Sequence, residues 1–186
     1  SNSQHGWDLK LNKMMVSNAD GEGTVYGSYQ INDGAGIADL TVSLTRVEVK
    51  QAARYIPMHA VNDQTYRWLQ TGLQGGIADA FQMHVRGDLQ DFPFPDGKQG
   101  LFRLTAKAKD VAIEFDPGWP RIEKASADLL IQGRLLEVKA STAETAGAAL
   151  QNVRVALPDT LSESLVMEVD GEAVGPTEHS LAYIRH

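Results

Sequence analysis

Residues 102–115, FRLTAKAKDVAIEF, carry the fold in one line. Phe102, Leu104, Ala106 and Ala108 alternate with Arg103, Thr105, Lys107 and Lys109. That two-residue period belongs to a strand with one apolar face and one wet face. At Lys109-Asp110 the phase slips, because Val111, Ile113 and Phe115 follow Ala108 at an odd offset. A bulge or bend accounts for the slip. A sheet that bends repeatedly curls.

The same alternation recurs on both sides of this stretch. Trp7, Leu9 and Leu11 alternate with Asp8, Lys10 and Asn12, and Val25, Tyr29 and Ile31 share a face around Gly27. Leu40, Val42 and Leu44 follow, then Phe81, Met83, Val85 and Leu89. Downstream come Ala127, Leu129 and Ile131; Leu136, Val138 and Ala140; Val153, Val155 and Leu157; and Leu165, Met167 and Val169. Asn18-Ala19-Asp20-Gly21, Asn32-Asp33-Gly34, Pro95-Asp96-Gly97 and Gln132-Gly133-Arg134 read as hairpin-type links. Short links make neighbouring strands antiparallel, and about ten strands are expected.

Helical spacing breaks in twice. Asn62 or Asp63 caps a helix running to about Leu73 and ended by Gly75 and Gly76, with Tyr66, Leu69 and Leu73 as its apolar stripe. A shorter helix after Pro176 carries Leu181 and Ile184. The expected fold is mainly β: a curved, elongated antiparallel sheet, trough-like or an open barrel, with one or two short helices. Ser1 and Asn2 read as a tag remnant. Residues 3–186 form a single β-rich domain, expected to be a fragment of a much longer protein. Within it, 3–50 is a first strand block, 51–76 a helical insertion, 77–175 a second strand block and 176–186 a short C-terminal helix.

Composition narrows the function classes. Of 186 residues, 42% are hydrophobic and 22% charged, an ordinary globular balance. Seventeen Lys and Arg against twenty-four Asp and Glu leave a net charge of -7, which repels phosphate backbones and makes nucleic acid an unsuitable partner. No apolar run approaches the ~18 residues that cross a bilayer as a helix. With no cysteine, thiolate chemistry, disulfides and Cys-ligated zinc are absent together.

The chain offers little reactive chemistry. His5, His59, His84, His179 and His186 never fall in a metal-ligand spacing and read as scattered surface histidines. Asn18, Asp20, Glu22 and Gly23 match the start of a calcium loop, but Tyr29 stands where the bidentate glutamate belongs; a polar hairpin turn explains the same residues. Gly21, Gly23 and Gly27 precede a strand, not the helix a dinucleotide loop requires. Glu168, Asp170 and Glu172 share one strand face, and Asp88 and Asp91 flank a turn; a solvated polar face explains both groups. DFPFP, from Asp91 to Pro95, either rims a pocket or plugs one end of a core. No catalytic residue, metal ligand or cofactor is assigned.

The stretch from Gly100 to Glu123, GLFRLTAKAKDVAIEFDPGWPRIE, resembles the AsmA-like family, in particular its large YhdP-type members in Gram-negative bacteria. ARYIP (Ala53 to Pro57), RWLQTGLQGGIADA (Arg67 to Ala80), VRGDLQDFPF (Val85 to Phe94) and DGEAVGPT (Asp170 to Thr177) are similar to the same family. The resemblance implies a periplasmic portion of a protein anchored in the inner membrane by one N-terminal helix. It implies a long curled β-structure enclosing a hydrophobic groove, through which phospholipid moves towards the outer membrane to sustain its permeability barrier. It implies no catalytic or metal site.

Physical chemistry agrees with such a conduit. Each acyl methylene exposed to water costs ~0.8 kcal/mol, so a continuous apolar track lowers the barrier to lipid movement without recognising any one lipid. The groove candidates are Phe102, Leu104, Val111, Ile113, Phe115, Leu129, Ile131, Leu136, Val138, Val153, Val155, Leu165, Met167 and Val169. Their partners would be phospholipid acyl chains and adjacent repeats of the same chain. Two readings compete. Exposed strand edges can instead make the chain a structural module pairing with another envelope protein, and any curved sheet covered by a helix buries the same residues in an ordinary core. A hydrolase with a carboxylate pair has no positive sign in the sequence.

Overall fold

The computed structural model describes residues 7–18, 21–31, 33–56, 58–115 and 118–174. Among them the alternating runs form nine strands in one antiparallel meander, each paired with its sequence neighbours. They are β1 (Asp8–Asn18), β2 (Gly21–Gln30), β3 (Ile37–Glu48), β4 (Leu73–Asp88) and β5 (Gly100–Ile113), then β6 (Ile122–Gln132), β7 (Leu135–Thr145), β8 (Ala148–Leu157) and β9 (Glu168–Val174). Among the described residues the sheet is not closed, since β1 and β9 each pair on one side only. Nine strands stand where about ten were expected because the runs on either side of Asp110 are one strand, β5, with a bulge between Ala108 and Val111.

That bulge is one of a row crossing the sheet. The apolar spacing of three that betrays it in β5 recurs as Leu44/Val47, Ala78/Phe81, Ile122/Ala125, Ala140/Ala143 and Leu150/Val153. From the β2–β3 pair to the β8–β9 pair, register shifts or unpaired positions fall at this level. Asp110, Lys124 and Asn152 adopt the left-handed backbone there, with φ of 53°, 51° and 52°. An extra residue turns the next side chain by half a period. Each bulge therefore returns the second apolar set to the face that carries the first.

Between β3 and β4 the chain leaves the sheet and covers that face. A 3₁₀ turn at Val49–Arg54 buries Val49 and Ala53, and α1 (Asp63–Gly72) follows. Asn62 is the cap, accepting from the Thr65 amide at 2.8 Å. Thr65, Leu69 and Gly72 are the helix's buried line. Gly75 and Gly76 do not end the helix; the chain turns extended at Leu73 and runs directly into β4, where both glycines lie. Gly76, at φ 114°, lets β4 approach the backbone of Val111. Residues 175–186, where the second short helix was expected, lie outside the described residues.

Candidate functional site

Directly opposite residues of an antiparallel pair point to the same side of the sheet, so the registers can be read as rows running across the strands. One row is Val47, Ala78, Ala108, Ala127, Ala140 and Val153, each paired with the next. A second is Leu44, Phe81, Ala106, Leu129, Val138 and Val155. A third is Met83, Leu104, Ile131, Leu136 and Leu157. The rows make an apolar floor, and the alanine row makes it deepest beside the bulges.

The roof is the connection between β3 and β4. Val49, Ala52 and Ile56 line it from below together with Gln64, Thr65, Trp68 and Leu69 of α1. Trp68 stacks on Phe115 at 5.6 Å and 14°, which closes the corner where β5 ends. Floor and roof enclose a cavity of about 480 Å³, within the ~300–1,000 Å³ usual for small-molecule sites. Of the described residues that line it, only Gln64 and Thr65 are polar, and none is charged.

A strap ties the roof to the far side of the sheet. The linker between β8 and β9 reaches back to the start of α1, where the Asn62 amide donates to the Thr160 carbonyl at 2.9 Å. Asn62 Nδ2 donates to the Ser162 carbonyl at 2.9 Å, and the Thr160 hydroxyl donates to the Ala60 carbonyl at 3.3 Å. Thr160 is buried, and its amide donates to the Arg134 carbonyl at 2.8 Å. Arg134 also pairs with Asp159 at 2.9 Å, and this hydrogen bond holds the Asp159 carboxyl below its usual pKa, helped by the Leu161 amide.

Charge sits on the opposite face. Lys107 pairs with Asp128 across β5 and β6, Lys109 with Asp79, and Lys124 with Glu144. Glu137 takes Lys139 at 2.9 Å and Arg154 at 2.7 Å, and these hydrogen bonds, Lys139's foremost, lower its pKa. Pairs that reach solvent in this way add little stability, because water and salt screen them. Their value here is polarity, leaving one face wet and the other greasy.

The whole chain, residues 1–186, matches the family model described as YhdP protein. The chain belongs to the YhdP family. The protein of Escherichia coli (strain K12) called intermembrane phospholipid transporter YhdP is 28% identical over 130 residues, which cover 68% of this chain and 10% of that protein. The chain thus spans about a tenth of that relative's length. No solved structure matches.

Within this YhdP-family segment, the expected groove residues divide three ways. Leu104, Val111, Ile113, Phe115, Leu129 and Ile131 line the cavity, as do Leu136, Val138, Val153, Val155, Leu165 and Met167. Phe102 is not on the lining; it lies beneath Phe92, whose ring centre is 4.9 Å away, and Phe92 in turn meets Phe94 edge-on at 6.0 Å. Phe94 is 3% exposed. The DFPFP stretch therefore plugs the strand ends and does not rim the cavity. Val169 is opposite Val155 in register, on the same face, but stands 58% exposed on the edge strand β9 beyond the enclosed part. Leu165 and Met167 reach the cavity from the linker, since β9 begins only at Glu168.

The polar candidates do not converge. Glu168 and Asp170 both turn to Arg154, at 3.6 and 3.5 Å, and Asp88 caps a short turn through the Gln90 amide. His84 sits 3.0 Å from Asp39. Among the described residues no cluster of His, Asp and Glu could hold a metal, and no helix is long and apolar enough to cross a membrane. The Asn18-to-Gly23 stretch includes Ala19 and Asp20, outside the described residues.

Sequence reading missed the 3₁₀ turn and the strap, and it placed Ala108, Ala127 and Ala140 on apolar strand faces without counting them among the groove residues. Alanines give a weak alternation signal, and Thr160 carries no local mark of a partner a hundred residues away.

Proposed function

We propose that the roofed concavity takes up acyl chains of phospholipid. In this reading the chain is a non-enzymatic segment of a longer periplasmic protein, anchored in the inner membrane, that passes phospholipid towards the outer membrane and supports its barrier. The observation that carries the proposal is the direction of the apolar rows. They run across the strands, from β3 to β8, and among the described residues none on the lining is charged. Five inter-strand steps of about 4.8 Å give a track of about 24 Å. One leaflet of a bilayer's hydrocarbon is about 15 Å deep, so an extended tail fits along it. The Escherichia coli relative is named an intermembrane phospholipid transporter, which supports the same substrate class.

A second reading draws on the sheet edges. Leu9 and Met15 on β1 and Val169 and Val174 on β9 are exposed, on strands that among the described residues pair on one side only. Unpaired edges with apolar side chains suit further strands, either adjacent repeats of the same chain or another envelope protein. The two readings are compatible, since added strands would lengthen the rows.

The test places a photo-crosslinking side chain at Val138, on the floor, and in a separate variant at Lys139, its neighbour on the opposite face. In the full-length parent protein, Val138 is expected to yield phospholipid adducts and Lys139 few or none. Ile113→Asp, which puts a charge on the lining, is expected to lower the Val138 adducts several-fold. Equal yields from both faces, or an unchanged yield in a folded Ile113→Asp variant, would remove the conduit and leave the edge-pairing module.

A further inference from the structure

Among the described residues two buried side-chain polar atoms lack a hydrogen-bond partner, the Thr65 hydroxyl and the Trp68 indole nitrogen. Both belong to α1 and both residues line the cavity. A spacing of three puts them on one face of the helix, with Cβ atoms about 5–6 Å apart. Thr65 is only 4% exposed. Its amide is already engaged by the Asn62 cap. A helical threonine commonly returns its hydroxyl to a carbonyl of the preceding turn, and Thr65 does not. Buried polar groups are nearly always paired. Two orphans on one helix, beside one otherwise apolar cavity, mark a place where a ligand supplies the missing partners.

The chemistry of that ligand follows from the donors. An indole N–H can only donate, and a hydroxyl can do the same. Among the described residues no charged side chain lines the cavity, so a formal charge on the ligand would have no counterpart among them. Neutral acceptor oxygens attached to long apolar chains meet the requirement. We propose that α1 is a docking station for an ester-linked diacyl phospholipid, with Thr65 and Trp68 donating to its acyl carbonyl oxygens. The tails then lie along the floor rows. The charged head group stays in water, past the exposed Gln64. The station rests on the lipid reading above and adds to it a preferred resting point where a featureless track would have none.

The experiment offers the 186-residue chain an equimolar mixture of dioleoyl phosphatidylglycerol and its diether analogue, which has the same tails and head group but no carbonyls. Retained lipid is counted by native mass spectrometry. The diester is expected to be retained roughly three- to tenfold better, the range one or two hydrogen bonds supply. Thr65→Val, which keeps the side chain's shape, and Trp68→Phe, which keeps an aromatic ring to stack on Phe115, are each expected to shrink that preference while diether retention stays as it was. Constant diether retention also reports that the variants have folded. Equal retention of the two lipids by the unaltered chain overturns the station and leaves the conduit standing. A preference untouched by both substitutions overturns the assignment to these side chains. Retention of neither lipid overturns the lipid reading itself.

Discussion

Asn62 Nδ2 donates to the carbonyl of Ser162 at 2.9 Å, across a hundred residues of chain, while Oδ1 of the same side chain accepts from the Thr65 amide at 2.8 Å. One amide group therefore starts α1 and fastens it to the strap. A carboxylate could do the first but has no N–H for the second.

Replacing that amide separates the two duties. Asn62→Ala loses a cap worth about 1 kcal/mol and a hydrogen bond worth about as much, so a loss of about 2 kcal/mol is expected in denaturant unfolding. Asn62→Asp keeps the cap and loses only the tie. Hydrogen exchange is expected to quicken in both α1 and the β8–β9 linker for the alanine variant, and in the linker alone for the aspartate variant. Identical exchange patterns would show that roof and strap are not held by one residue.

The sheet itself was legible because apolar and polar residues alternate over strands that, β9 apart, run to ten or more residues, and Asn62 was legible as one of two candidate caps because it and Asp63 precede a helical stripe. The bulge in β5 could be seen since Val111, Ile113 and Phe115 are large enough to mark the change of phase. Its continuation could not be seen, because in β4 and β7 the stepping residues include Ala78, Ala140 and Ala143, whose small side chains leave the period ambiguous. Phe102 is in phase with Leu104, and only the fold of Phe92 and Phe94 over it takes it off the lining. The Thr65 hydroxyl looks like any polar helix position until its surroundings are known. Whatever depended on a distant partner was invisible in the chain.

The bulge row makes a prediction about backbone. Asn152 holds a left-handed φ of 52° in β8, a conformation asparagine tolerates and β-branched residues do not. Asn152→Val is expected to cost about 1–2 kcal/mol, whereas Asn152→Gly should be neutral or slightly stabilising. Urea midpoints of the two variants check the order. Valine tolerated as well as glycine would mean that β8 runs through this point without a step.

The alanine row makes a prediction about space. Ala127 lies between Ala108 and Ala140 on the cavity floor. Ala127→Phe adds apolar volume into open room, so the overpacking penalty should stay below about 1 kcal/mol, under the usual range for a filled core. Lipid retained in native mass spectra is expected to fall several-fold with little change in melting temperature. A large drop in stability with retention intact would mean the row is tightly packed and not part of a passage.

The Asp159–Arg134 pair gives the strap a dependence on pH. Its carboxyl titrates below its usual value because the Arg134 guanidinium and the Leu161 amide favour the ionised form. A depressed pKa in the folded state means the unfolded chain takes up its proton first. The contribution is therefore complete above the unfolded value near 3.9 and disappears as pH falls through the folded one. Exchange protection of the Thr160 amide, which bonds the Arg134 carbonyl, should be level from neutral pH to about 4.5 and weaken below about 4. Asp159→Asn keeps an oxygen for the Leu161 amide but not the charge. It is expected to lower protection at neutral pH and to flatten the acid limb, so that the two proteins converge once Asp159 is protonated in the folded state. Both partners are partly exposed, so added salt should narrow the neutral-pH difference. Parallel acid limbs in the two proteins would mean that other carboxylates, Glu137 foremost, carry the whole dependence.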